Sequence, residues 1–270
     1  MSNNERKFNE WLERARNSII LGESDDKVRE KLNKALGYKA DINAFGKVFY
    51  LLSNHRRYNL LEGYINILKR GYPNDIEAVA LTGMYYITLN KFDKSIKYMD
   101  KALKLNSKIK TLSDNHIIII RLQFFKILLF ILLDKYENAL QSIDEFINML
   151  SKIESQNLEN IVSMLCKLYE LKIILLYILD EKEEALELRD KYLTIVKESE
   201  ELKEIFVNNI ASEAIKWYYK GIIYESFYYS HNYATGLEKA LECYTKALEI
   251  DSNFKLAKNK KEEIECLIIQ

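Results

Sequence analysis

One proline, Pro73, and eight glycines in 270 residues leave little material for tight hairpin turns or a structureless linker. Leu, Ile, Lys, Glu and Ala carry most segments toward helix, so a mostly helical chain is expected. The three cysteines, Cys166, Cys243 and Cys266, are odd in number and lack ligand-like spacing. They argue against a disulfide framework and for thiols in a reducing compartment. Neither charge is in excess, with forty basic and forty acidic side chains, so no global field draws in nucleic acid or an anionic membrane. His55, His116 and His231 lie far apart without an H-E-x-x-H or comparable metal pattern. The chain also has no G-x-x-x-x-G-K-[ST] phosphate loop and no nucleophile elbow. The expectation is a non-catalytic chain with no cofactor and no metal.

The opening M-S-N-N-E-R-K-F-N-E-W lacks the apolar core of a signal peptide, which points to the cytoplasm. The most hydrophobic run, Ile117 to Leu133, contains Arg121, Gln123 and Lys126 and is slightly short for a full crossing. It is expected to be a helix buried between neighbours.

The length lies where one compact core gives way to two domains or to a one-dimensional stack whose units bury their apolar faces only against neighbours. Periodicity favours the stack. Trp11, Ala15 and Ser18 fall at i, i+4 and i+7 on a helix over Phe8 to Ile20, which Gly22 ends. Ser24 or Asp25 can cap a second helix carrying Val28, Leu32 and Ala35, closed by Gly37. A second hairpin starts at Asp41 or Asn43 and turns at H-R-R-Y, and Pro73 stops it. A third runs from Ile76 to Leu89 and from Asp93 to Leu105. Val28, Leu61 and Ser95, equivalent on successive second helices, stand 33 and 34 residues apart.

The units then lengthen. D-K-Y-E-N-A-L from Asp134 and D-E-K-E-E-A-L from Asp180 repeat the turn of N-K-F-D-K-S-I, giving steps of 44, 46 and finally 55 residues to Ala240. Apolar spacing continues through Asn115 to Leu133, Leu158 to Leu179 and Leu202 to Tyr229, so the added length is expected to extend the first helix of each pair. The last step also holds a polar turn from Ser230 to Gly236. Phe254 to Ile268, with lysine and glutamate alternating on its outer side, suits a capping helix.

Two stretches carry a resemblance. W-Y-Y-K-G-I-I-Y at Trp217 to Tyr224 is followed by A-L-E-C-Y-T-K-A-L-E-I-D at Ala240 to Asp251, and G-M-Y-Y-I-T-L-N-K-F-D-K-S-I-K-Y-M-D-K-A-L-K-L-N spans Gly83 to Asn106. In both, a small residue stands where two helices approach and an aromatic fills the gap beside it. The chain resembles tetratricopeptide repeat proteins over about residues 8–251. The resemblance implies an all-α, right-handed α-α superhelix of about six hairpins plus a capping helix, as one domain over 1–270. Regular units would span about 8–107, elongated units about 111–251 and the cap about 254–268. Three departures stand out: longer units four to six, seven extra residues from Ser230, and a unit-closing proline only at Pro73.

The resemblance further implies that first helices line a concave surface that holds a peptide or a partner's helix. Projected here, that surface includes Asn43, Lys47, Tyr50 and Asn54, then Met84 and Thr88, then Tyr218, Tyr219 and Ile222. The early part is polar, and the late part is aromatic and apolar, which suits an amphipathic helix or hydrophobic anchor. Asn43 and Lys47 resemble one component of a terminal-carboxylate clamp, but Arg16 and Met84 or Thr88 do not complete it. Tyr224 and Tyr244 occupy packing positions, whereas Tyr218 and Tyr219 are read as non-packing. The leading expectation is an adaptor or scaffold with a protein or peptide partner. Alternatives are a homo-oligomer joined through the aromatic C-terminal repeats and an RNA-associated repeat protein, the latter disfavoured by the balanced charge.

Overall fold

The computed structural model describes residues 1–106, 116–151, 158–194, 196, 199–231 and 235–269, and every regular element among them is a helix. In order these are α1 (Asn3–Ile20), α2 (Asp25–Tyr38), α3 (Ile42–Asn54), α4 (Tyr58–Gly71), α5 (Ile76–Thr88) and α6 (Phe92–Asn106). They continue with α7 (His116–Leu132), α8 (Tyr136–Leu150), α9 (Leu158–Ile178) and α10 (Lys182–Leu193). The last four are α11 (Glu200–Val207), α12 (Ser212–His231), α13 (Gly236–Ile250) and α14 (Lys255–Ile269). The chain divides into two compact units, unit 1 (Met1–Leu122 and Tyr229–Ala234) and unit 2 (Gln123–Tyr228 and Thr235–Gln270). The junction expected at about 107–111 lies outside the described residues, as do residues 232–234 of the expected polar turn.

One turn recurs along the chain. Gly22, Arg56, Asn90, Asp134 and Asp180 have φ of 71°, 55°, 56°, 56° and 66°. The residue after each donates its N–H back five positions: Glu23 to Ser18, Arg57 to Leu52, Lys91 to Tyr86, Lys135 to Phe130 and Glu181 to Leu176, all at 2.9 Å. This is the left-handed helix stop that satisfies the last carbonyls of a helix. Left-handed φ costs an ordinary residue roughly 1–2 kcal/mol. Asn and Asp tolerate it better than most and hold three of the five positions. The turns fall 34, 34, 44 and 46 residues apart, matching the steps of 33, 34, 44 and 46 between second helices to within one residue.

Starts are set as locally as stops. Asp41 and Asp75, one period apart, each accept a hydrogen bond from the backbone N–H three residues on, Ala44 at 2.8 Å and Ala78 at 3.0 Å. Gly37, expected to close α2, lies inside that helix, which runs on to Tyr38. The later first helices are long as expected: α7, α9 and α12 have 17, 21 and 20 residues against 13 in α3 and α5.

In unit 1, α1 pairs with α2, α3 with α4 and α5 with α6, and each hairpin packs on the next. Phe8, Ala35 and Ala44 form a buried cluster that joins the first hairpin to the second, with Trp11, Leu12 and Leu36 against it. Polar bonds cross the same seam. Arg57 donates to Asp25 at 2.8 Å, Tyr64 to Asn33 at 3.0 Å and Tyr72 to the Ala40 carbonyl at 3.0 Å. Burial pushes the Tyr64 hydroxyl up to about 12, so it stays a neutral donor.

In unit 2, α9 packs between α8 and α10, and α13 packs on α14. Lys172 reaches Asp144 and Lys220 reaches Asp134, both at 2.7 Å. Two helices approach closely at Gly221, where an added Cβ would lie 2.4 Å from the Tyr244 ring. Only glycine fits there. The apolar run in α7 is spent on packing, with Ile127, Leu129 and Ile131 fully buried and Arg121 exposed. Among the described residues no helix is long and apolar enough to cross a membrane.

The expected continuous helix over Leu202 to Tyr229 is corrected. It breaks between α11 and α12, where Asn209 takes φ 49° and Ile210 donates back to the Ile205 carbonyl at 3.2 Å, a further copy of the recurring stop. Tyr177 at the end of α9 ties the break down by donating to Asn209 Oδ1 at 3.0 Å. Leu202 and Ile205 bury the inner face of α11 completely. Glu204 on the same helix accepts from the first backbone N–H of α14, Lys255, at 2.6 Å. The described residues thus hold one helix more than six hairpins and a cap require.

Candidate functional site

Unit 2 contains a cleft of about 250 Å3 whose walls come from α7, α9, α11 and α12. Phe124 and Leu128 enter from α7, and Lys167, Glu170, Leu171 and Ile174 from α9. Tyr218, Tyr219, Ile222 and Ile223 enter from α12, while Ser199 and Glu201 come from the start of α11. Three of the four contributors are first helices of the hairpins. Their i, i+3 and i+4 spacing puts each set on one face.

The floor is rigid. Tyr218 is 1 % exposed, with its ring 4.9 Å from Phe254 and 5.7 Å from Tyr244. The Tyr244 hydroxyl donates to Glu225 at 2.8 Å, and Lys260 donates to the other oxygen of that carboxylate at 3.1 Å. Above the floor, Phe124, Leu171, Tyr219 and Ile222 are each only half-buried. Tyr219 meets Tyr218 edge to face at 5.4 Å, which fixes its ring angle. The rim is polar. Glu170 accepts from the Tyr192 hydroxyl at 3.0 Å, and Ser199 caps α11 by accepting from the Leu202 N–H at 3.3 Å. Burial, then the adjacent Tyr218 phenol and the Glu201 and Glu170 carboxylates, keep the Tyr219 phenol ionising well above its ordinary value.

The expected surface residues divide by burial. Asn43, Tyr50 and Asn54 are exposed on α3, Tyr50 at 43 %. Lys47 on the same helix donates to Asn9 at 3.3 Å and lies 5.6 Å from the centre of the Phe8 ring, so α1 and α3 share one polar face. Met84 and Thr88 are buried in α5, and Thr88 spends its hydroxyl on the Tyr85 carbonyl at 2.8 Å. Neither presents a surface. Tyr218, read as non-packing, is instead a packing residue, because Phe254, immediately before α14, covers the side of α12 from which it projects. Tyr219 and Ile222 do line the cleft together.

Sequence reasoning missed Glu170, Leu171, Ser199 and Glu201. The first two sit on a helix that was read correctly but assigned no surface. The other two belong to α11, and the signals for it were present: S-E-E-L at 199–202 is a helix start, and N-N at 208–209 before Ser212 is a stop followed by a start.

Among known proteins, residues 76–109, which contain the α5–α6 hairpin, match the family model for the tetratricopeptide repeat. No curated protein matches the chain. A solved structure of PilF from Pseudomonas aeruginosa aligns at 9% identity over 98% of this chain and 99% of that one, with a TM-score of 0.48. A tetratricopeptide repeat protein from Parabacteroides merdae aligns at 15% identity over 96% and 99%, with a TM-score of 0.41.

Proposed function

We propose that this chain is a non-catalytic adaptor or scaffold that holds a peptide or helical segment of another protein in the unit 2 cleft. The observation that carries the reading is the half-buried wall of Phe124, Leu171, Tyr219 and Ile222 over a locked aromatic floor. Apolar side chains left partly wet on a rigid surface gain free energy when a complementary group covers them. Rigidity adds to this, since a receptor already ordered loses little entropy on binding. The volume falls below the roughly 300–1,000 Å3 typical of small-molecule pockets and suits one or two anchoring side chains. In unit 1 the polar face with Asn43, Lys47, Tyr50 and Asn54 is a second, weaker contact surface. A cytoplasmic setting accords with the three free thiols.

Affinity capture with the intact chain, compared with Ile222→Glu and Tyr219→Ala, tests the reading. Both variants change side chains at the cleft mouth and spare the floor, and both are checked for native circular dichroism. A partner recovered by the parent and lost by both variants is the expected result. A partner retained equally by all three would place the interaction elsewhere.

A second reading is self-association through the C-terminal helices, where Ile250, Leu267 and Ile268 are 43 %, 47 % and 48 % exposed. Light scattering across micromolar concentrations separates the two, since a chain that stays monomeric excludes the oligomer.

A further inference from the structure

Resting on the docking reading, the geometry points to the chemistry of the partner: we infer that the cleft takes a segment placing a large apolar side chain beside an arginine or lysine. The two parts of this signature are met by different elements. Leu171, Tyr219 and Ile222 provide the apolar wall. The cation is met by two carboxylates that converge from separate helices, Glu170 on α9 and Glu201 in the first turn of α11.

Neither carboxylate sits on a free loop. The 3.0 Å bond from Tyr192 holds Glu170 Oε1 and leaves lone pairs for a guanidinium fork. Glu201 is presented by a helix capped by Ser199, stopped at Asn209, buried through Leu202 and Ile205 and bonded to α14 through Glu204. Lys167 opposes them from one turn before Glu170; Lys167 and Glu201 are both exposed and screened by water, whereas Glu170 is half-buried and is the least screened charge of the three.

The phenols in the cleft report the same field. After burial, Tyr219 is raised by the neighbouring Tyr218 phenol and then by Glu201 and Glu170, and Tyr218 by Glu201, Glu225, Glu204 and Glu263. Glu201 is thus the leading carboxylate at both rings. An anionic segment would add like charge beside a half-buried acid, whereas a cation complements it.

The test uses the full chain and two fluorescein-labelled designed amphipathic peptides with the same leucine–phenylalanine stripe, one flanked by arginine and the other by glutamate. Anisotropy titration in about 0.05 M salt should give a preference for the arginine peptide on the order of tenfold, falling toward unity at about 0.5 M. The double variant Glu170→Gln, Glu201→Gln keeps the acceptor for Tyr192 and should abolish the preference while still binding both peptides. Equal binding of the two peptides, tighter binding of the glutamate peptide, or a preference that survives the double variant overturns the charge assignment. If in those cases Ile222→Glu still weakens both peptides, the docking reading stands alone. If neither peptide binds, or Ile222→Glu changes nothing, the docking reading fails and the inference falls with it.

Discussion

Replacing the two helix-packing glycines by alanine should move stability in opposite directions. On α5, a Cβ at Gly83 would stand 3.5 Å from the Ser95 carbonyl oxygen and from Tyr98 Cβ, and 3.6 Å from Met99 Cγ, which is ordinary contact. Alanine is worth about 0.5–1 kcal/mol over glycine inside a helix, so Gly83→Ala should gain up to that amount. On α12, a Cβ at Gly221 would stand 2.4, 2.7 and 2.8 Å from three atoms of the Tyr244 ring. That ring is fully buried, lies 5.7 Å from Tyr218 and is tied through its hydroxyl to Glu225. Restoring a carbon–carbon separation of about 3.5 Å requires roughly a 1 Å displacement. Overpacking of this kind costs about 1–3 kcal/mol, which outweighs the helix gain and leaves a net loss of about 1–2 kcal/mol. Urea unfolding followed by tryptophan fluorescence reads the two effects separately, because Trp11 lies in unit 1 and Trp217 in unit 2. Gly221→Ala is measured in a Trp11→Phe background and Gly83→Ala in a Trp217→Phe background. A Gly221→Ala midpoint at or above that of its parent would refute the reasoning, since it would mean that the Tyr244 ring yields freely.

Three further outcomes follow from the geometry. Tyr218→Ala should cost about 3–5 kcal/mol and Tyr219→Ala less than half of that, because only the first ring is fully buried; equal losses in denaturant titrations would contradict the assignment. Burial raises the Asp134 carboxyl, but hydrogen bonds from Lys220 and Tyr136 outweigh it and hold its pKa below the ordinary value. Its contribution to stability is present above the unfolded-chain pKa and is lost as pH falls through the folded one. Asp134→Asn, which keeps a residue tolerant of φ 56°, should therefore be less stable than the parent at pH 7, with the gap closing as pH falls below the ordinary aspartate range, as followed by pH-dependent thermal melts. Maleimide labelling near neutral pH should modify Cys266, which is exposed, and leave Cys243 untouched until the chain unfolds. Cys243 is 4 % exposed, and burial pushes its thiol up to about 11.

Much of the fold was legible because it is specified locally. Helix starts at Asp41 and Asp75 and the reversals at Asn90, Asp134 and Asp180 depend on side chains within a few residues, so their positions can be read from sequence. The α5–α6 hairpin follows the repeat pattern closely. The break at Asn209 was hidden because Leu202, Ile205 and Ile210 keep apolar spacing across it, and periodicity registers which residues are buried rather than whether one helix or two carries them. The cleft inherited that omission, since Ser199 and Glu201 belong to the helix that was not separated.

The amino-acid pattern by itself determined that the chain is helical, where most helices begin and end, and how the turns repeat, since each of these rests on contacts only a few residues long. It also marked Tyr218, Tyr219 and Ile222 as one neighbourhood. Which of two adjacent tyrosines faces solvent was decided only by tertiary packing. Consecutive residues project about 100° apart on a helix, and Phe254, immediately before α14, covers one of those directions while α7, α9 and α11 leave the other open as a cleft.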